Sequence, residues 1–505
     1  MRVETLPVPC AESCLRAGAT PTADTEPNGR NEMSQHARPQ GDDASYHGIW
    51  RLTWPQMLMM VFHFLIGFTD VWVAGRIQPE VQAAIGLVSQ CLFFLLVVAV
   101  AGANAGVAAI SQALGAGLLP RARRYAGMVL AGGCTVGVAI MLLGLVTIEP
   151  FLRVLQVPDT IMPVASYFWK VYLLGLPANY LFTITGAVFR ARKRMFAPLL
   201  SMVVVCVVNA GATLGFGLGL WGLPAYGYAG VAWATFVAIV IGALLNLGML
   251  ARDRELLQRA SFPPLRWMRR GAPYLIRVAA PAAGLQIMWN LGYLVLFSIT
   301  ASLPVGSVAA LAGMTAGMRV ESFIFLPALA FNMTASVLVG HLLGAGRKPE
   351  AIRASLRLLV TGCASMSVFA VLLWPWTADI AAWLAPEPSV AAQVVSYLRY
   401  NLVSIPFTVA SMTLGGVMTG AGATLYSFLV YGSATWFVRL PLAWVMGHVV
   451  WHDAAGIFLA MFVSQVFQSS VMLWLFYTHD WSRFSMIRRN GRKPAPQGAA
   501  SHDRQ

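Results

Sequence analysis

An aspartate stands near the end of a long apolar run, in Gly67-Phe68-Thr69-Asp70-Val71-Trp72-Val73-Ala74-Gly75. A carboxylate in hydrocarbon costs about 2–3 kcal/mol unless it is partnered or protonated. Gln56, His63 and Asp70 are spaced by seven. On an α-helix that spacing drifts only about 20° per step, so the three form one polar stripe, which should face the interior of a helix bundle. Asp70 there can bind and release a proton, or gather Na⁺ with other oxygens. The competing reading is an interfacial aspartate solvated at the outer leaflet, because the run ends about a turn later. His63 sits about 10 Å along the helix from Asp70 and is either a relay or a hydrogen-bonded packing histidine. Arg319 and Glu321 are two apart and so do not share a helix face. Glu321 either lines a cavity or neutralises a basic residue elsewhere. Asn209, Asn290 and Asn332 are amides within apolar runs, suited to joining helices or to coordinating an ion. Arg439, just before Pro441, reads as structural.

The elements that position these residues follow from composition. Of 505 residues, 58% are hydrophobic and 11% charged, with mean hydropathy +0.66. Soluble chains carry about 25% charged residues. Lipid is the expected solvent, and the fold class is all-α, a polytopic membrane protein of twelve transmembrane helices. The spans fall near 52–74, 83–111, 124–147, 163–189, 195–220, 227–251, 273–301, 307–340, 352–376, 392–419, 425–448 and 455–478. The net charge of +15 comes from arginines in alternate short loops, as in Arg121, Arg123 and Arg124, or Arg190, Arg192, Lys193 and Arg194. The positive-inside rule places those loops and both termini in the cytoplasm of a cell whose inner (plasma) membrane holds the chain. No basic–aromatic module suggests nucleic acid. Lys170 and Arg399 break the alternation and should snorkel to the outer headgroups.

These two exceptions are related by a shift of 229 residues, as are Pro177 and Pro406, Gly186 and Gly415, Val188 and Val417, and Gly115-Ala116-Gly117 and Gly344-Ala345-Gly346. A duplicated six-span unit inserts both copies in the same direction, so its pseudo-two-fold axis runs along the membrane normal. The expected organisation is a disordered cytoplasmic tail (1–46), a six-helix bundle (47–251), a cytoplasmic linker (252–272), a second six-helix bundle (273–480) and a basic tail (481–505). Two bundles around an axis enclose a cavity and can rock for alternating access, so a monomer suffices.

Several chemistries lack their residues. There is no G-x-x-x-x-G-K-[ST] loop for ATP and no H-E-x-x-H for a zinc protease. The six cysteines have no metal-ligand spacing, so free thiols and no metal site are expected. Secondary active transport is the leading reading. A lipid-linked saccharide flippase and a membrane-embedded acyltransferase are the alternatives. The flippase would want several cavity cations, for which Arg277, Arg319 and Arg439 are the candidates. The acyltransferase would want a motif around His63 or His341, and neither has one.

At this point the chain resembles a known family. Pro55 followed by Asp70 and an Ala-Gly exit resembles the opening span of MATE (multidrug and toxic compound extrusion) exporters. Gln112-Ala-Leu-Gly-Ala-Gly117 and Val339-Gly-His-Leu-Leu-Gly-Ala-Gly-Arg347 resemble their second- and eighth-span ends. Arg319-Val-Glu321 with Pro327 is similar to a run in the bacterial DinF-like branch. Gly227-Tyr-Ala-Gly-Val-Ala-Trp-Ala-Thr235 and Arg439-Leu-Pro-Leu442 resemble the starts of the sixth and eleventh spans. The likeness covers about residues 50–480. It implies an antiporter exporting small organic cations or amphipathic drugs in exchange for H⁺ or Na⁺, with no other cofactor. It also implies that Asp70, Asn209 and Thr235 form the ion-coupling cluster, with His63, Gln56, Glu321, Arg319 and Asn290 as cavity or relay candidates. Some members carry a second Asp where this chain has Thr213. The acidic residues of sodium-type members in the seventh and tenth spans are also missing, with Met288 to Asn290 and Phe407 to Thr408 nearby, which favours protons.

Overall fold

A computed structural model describes residues 44–154, 160–253, 261, 263–385 and 387–486. The expectations for 1–43, for the middle of the linker at 254–260 and for 487–505 fall outside these residues, as do Cys10 and Cys14. Among the described residues there are helices and turns but no strand. Twelve helical segments are long and apolar enough to span a bilayer.

The first half comprises α1 (Tyr46–Ile77), α2 (Pro79–Gly115), α3 (Leu119–Val146), a short α4 (Ile148–Val154), α5 (Met162–Ala191), α6 (Phe196–Ala212) and α7 (Tyr228–Arg252). The second half repeats the order: α8 (Leu265–Ala301), α9 (Ser307–Gly344), α10 (Lys348–Leu373), a short α11 (Thr377–Leu384), α12 (Pro388–Ala421), α13 (Thr424–Ser433) with α14 (Leu440–Trp444), and α15 (Ala454–Thr478). Each element of the first half has its counterpart close to the 229-residue shift. That includes α4 and α11, which the span reading had absorbed into loops. Proline opens α2, α3, α5, α10 and α12, where the missing N–H would have had no helical partner.

The packing is duplicated too. Within the halves, α5 lies against α2, α3 and α7, and α12 lies against α9, α10 and α15. These two central helices, with α9, are the most enclosed spans. Between the halves, α1 leans on α9 while α8 leans on α2. Thr53 and Gln56 of α1 both reach the Thr334 hydroxyl of α9, at 3.1 and 2.8 Å.

The axis itself can be located. A Cβ added at Gly115 would stand 2.0 Å from the His341 carbonyl oxygen, and one added at Gly344 would stand 2.1 Å from that of Gln112. Gln112 and His341 are themselves related by the 229-residue shift, so the two contacts are mates. A Cβ at Gly340 would meet Oγ of Ser111, its own counterpart, so the axis passes between them. Just beyond, Gly117 and Gly346 turn both chains left-handed at φ 73° and 74°. Leu118 N then donates to Ala113 O and Arg347 N to Leu342 O, both at 2.9 Å.

Three boundaries differ from the sequence reading. Ser45 caps α1 by accepting from Gly48 N at 3.1 Å, so Tyr46 is helical and not part of a tail. The linker is shorter than 252–272, because α8 begins at Leu265 with good helix formers before the hydropathy rises. The tail expected from 481 starts as a turn, Trp481–Phe484, anchored by a Trp481 ring only 2% exposed. Ser485 Oγ and Met486 N then donate to Gln112 Oε1 at 3.1 and 2.8 Å. Cys91, Cys134, Cys206 and Cys363 are free.

Two outcomes test this packing. Gly115→Ala and Gly344→Ala drive a methyl into opposing backbone, which costs about 1–3 kcal/mol. Each should lower the thermal midpoint of the purified protein by about 1–3 °C. Gly132→Ala, with open space around it, should leave the midpoint unchanged. Equal behaviour of all three would mean that α2 and α9 do not meet backbone to backbone. Separately, Lys348 Nζ lies 2.8 Å from Asp480, and both side chains are about half exposed (46% and 57%). The hydrogen bond from Lys348, then that from Ser482, holds the Asp480 carboxyl below its ordinary value. Its contribution is present above the unfolded carboxylate range and lost as pH falls through the folded value. Lys348→Gln should therefore cost no more than about 1 kcal/mol at neutral pH. In urea melts, its difference from wild type should vanish on strong acidification.

Candidate functional site

Asp70 is buried on α1, 5% exposed, and receives three side-chain donors from two other helices. Asn209 Nδ2 of α6 and Thr213 Oγ1 both donate to Oδ1 at 3.2 Å. Thr235 Oγ1 of α7 donates to Oδ2 at 2.8 Å. Asn209 Nδ2 also lies 3.1 Å from the Thr235 hydroxyl. Tyr172 of α5 completes the surround, with its phenol against Thr235. Burial of a carboxylate requires such partners. The same amide leaves Asn209 Oδ1 buried without a donor. The cluster thus offers three donors to an anionic Asp70 and one free acceptor to whatever carries positive charge into it.

Local backbone brings these groups together. α6 ends in a π turn, Thr213–Gly217, whose wider winding starts at the residue that reaches Asp70. Gly230 lets α7 press on that turn, since a Cβ there would stand 2.3 Å from Phe216 O. Gly217 likewise lies against Val73, one turn past Asp70.

The second half carries a different cluster at the related place. Ser464 is the counterpart of Thr235, and it accepts from Arg439 Nε at 2.8 Å. Arg439 is 2% exposed and lies over the rings of Trp289 and Tyr293, at 5.5 and 5.8 Å. Glu321 is also buried and takes a short hydrogen bond from the Tyr397 hydroxyl. These two residues and Asn401 border a small pocket of about 10 Å³, the size that holds one water. The second-half cluster thus holds a buried guanidinium as well as a buried carboxyl, whereas no guanidinium is among the groups that reach Asp70.

Of the residues singled out in the sequence, Asp70, Asn209 and Thr235 meet. Gln56 lies instead in the contact between halves, donating to Leu52 O at 3.0 Å as well as to Thr334. His63 is exposed, in a stretch of α1 (60–69) where no residue is buried. Arg319 is exposed, whereas Glu321 two residues on is buried. Asn290 Nδ2 donates back to Gln286 O of its own helix at 2.7 Å. Asn332 bridges α9 to Met412 O of α12 at 2.7 Å, in the manner of helix glue. Thr213 and Tyr172 also belong to the cluster, beyond the candidate residues named from the sequence. For Thr213 the signal was its place four residues after Asn209. Tyr172 gave none.

Comparison with known proteins bears on the family and the fold. The family model for MatE matches residues 55–213 and 281–445, once in each half. A probable multidrug resistance protein NorM of Thermotoga maritima is 24% identical over 87% of this chain and 94% of that protein. Multidrug resistance protein PmpM of Pseudomonas aeruginosa is 25% identical over 79% of this chain and 83% of its own. Among solved structures, a MOP superfamily transporter from Pyrococcus furiosus superposes with a TM-score of 0.78 at 19% identity, covering 84% of this chain and 94% of that one. With both halves matched and the twelve-helix architecture shared, this chain belongs to the MatE family of multidrug efflux transporters.

Proposed function

We propose that this protein is an antiporter of the inner membrane. It exports cationic or amphipathic organic compounds while protons return through Asp70, working as a monomer with both termini in the cytoplasm. The observation that carries the reading is the Asp70 cluster, a single buried carboxylate whose three donors come from α6, its π turn and α7. Protonation removes the charge those donors converge on and loosens the α1–α6–α7 contact, while deprotonation tightens it. Export follows if the substrate and the proton prefer different states of that contact. Each net charge moved inward supplies about 2.3 kcal/mol per 100 mV, as when a neutral or zwitterionic compound leaves for one proton or a monovalent cation leaves for two. That exceeds the 1.4 kcal/mol of a tenfold substrate gradient.

The choice of proton over Na⁺ rests on the donor set. Among the groups that touch Asp70, none is a second carboxylate, and the two hydroxyls and the amide N–H are turned to it as donors. The Glu321 and Arg439 cluster is read as the fixed frame of the second half.

Ethidium efflux from cells lacking their own exporters tests the proposal. Asp70→Asn should reduce efflux at least tenfold at equal membrane expression. Wild-type efflux should collapse with a protonophore and persist without Na⁺. Thr235→Val and Thr213→Val, each removing one donor, should reduce efflux less than Asp70→Asn. Normal pumping by Asp70→Asn would sink the coupling role, and dependence on Na⁺ would sink the choice of ion.

A further inference from the structure

A second feature lies far from the Asp70 cluster, on the face that carries the arginine-rich loops. A cavity of about 640 Å³ is bordered by Arg121 and Tyr125 of α3, Arg270, Tyr274 and Arg277 of α8, and Arg483 with the residues after it. Four guanidinium groups border it, and among the described residues no carboxylate does. Such a volume suits a small ligand or a lipid headgroup.

The groups are held in place from behind. Arg483 donates to the Tyr426 hydroxyl at 3.0 Å, and Arg277 and Arg483 lie over the Phe484 ring at 4.6 and 4.9 Å. The Tyr274 hydroxyl accepts from Gln112 Nε2 at 3.0 Å, which leaves its own proton free to donate. The Tyr125 ring packs edge-on against Tyr274, with centroids 6.5 Å apart. Like charges gathered without a counter-charge repel one another, and a multivalent anion relieves this. Guanidinium forks match phosphate oxygens in pairs.

We propose that this cavity is a binding site for one or more anionic phosphate groups, carried by anionic lipid headgroups or by a soluble phosphate compound. Arg121 belongs to the first half of the molecule and the other three arginines to the second. The bound anion therefore bridges the halves on this face.

The test uses the full-length protein in nanodiscs, with inorganic tripolyphosphate as the soluble probe. In phosphatidylcholine nanodiscs, wild type should bind tripolyphosphate by calorimetry, more weakly as salt rises. The double variant Arg121→Gln with Arg270→Gln removes two of the four cations, neither of which has an ion pair among the described residues, and should bind at least tenfold more weakly. A charge-matched double variant outside the cavity, Arg252→Gln with Arg353→Gln, should bind like wild type. In nanodiscs containing phosphatidylglycerol, loss of tripolyphosphate binding by wild type assigns the site to a lipid headgroup. Retained binding assigns it to a soluble phosphate. Equal weakening in both double variants would reduce the effect to surface charge and overturn the site. Absence of tripolyphosphate binding to wild type, together with no phosphatidylglycerol retained by native mass spectrometry, would overturn it as well.

Discussion

The crossing of α2 and α9 is the constraint on which the rest of this architecture depends. Lipid gives two apolar helices no hydrophobic reason to associate, so close packing and hydrogen bonds must hold them. Here the backbones meet directly, through Gly115 against His341 and Gly344 against Gln112. Because each contact is the image of the other, the two halves share one pivot, and the leaning of α1 on α9 and of α8 on α2 follows from it. Side chains elsewhere can vary while this junction stays free of them.

Around that pivot the two halves have kept their backbones and diverged in their buried charges. The helices recur in order, down to the short α4 and α11. The hydroxyl at Thr235 recurs as Ser464. What the hydroxyl faces has changed sign, from the Asp70 carboxylate to the Arg439 guanidinium. A buried ionised pair or network is expensive to desolvate and is weak evidence for stability by itself. Under the coupling role proposed for Asp70, the asymmetry is a division of labour, with one half built around a group that can gain and lose charge. Arg439, by contrast, is held between the Ser464 hydroxyl and the rings of Trp289 and Tyr293.

Much of this was legible before any coordinates. Spans, repeat and fold class follow from hydropathy and from spacings that a chain in lipid cannot hide. Asp70, Asn209 and Thr235 could be grouped only through the family resemblance, since they lie on three helices and no spacing links them. Other features were not legible. The π turn at Thr213 changes helix register without a sequence mark. Gln56 shares a stripe with Asp70, yet it meets α9 because α1 crosses between halves. The start of the C-terminal segment looked like a polar tail because its anchor, Trp481, is one aromatic among many, and the partner of Ser485 and Met486 lies 373 residues earlier in the chain.

That last contact changes the connectivity of the molecule. Gln112 belongs to the first half, while Ser485 and Met486 follow the final helix of the second. Besides the α2–α9 crossing and the bonds from Gln112 Nε2 to Tyr274 and Gly420, the halves are thus joined on this face covalently ahead of α8 and by two hydrogen bonds at the other end of the second bundle. The chain closes into a ring whose clasp is a single glutamine side chain. Any motion that parts α2 from the second half on this side must first undo the clasp, whereas motion at the opposite face leaves it shut.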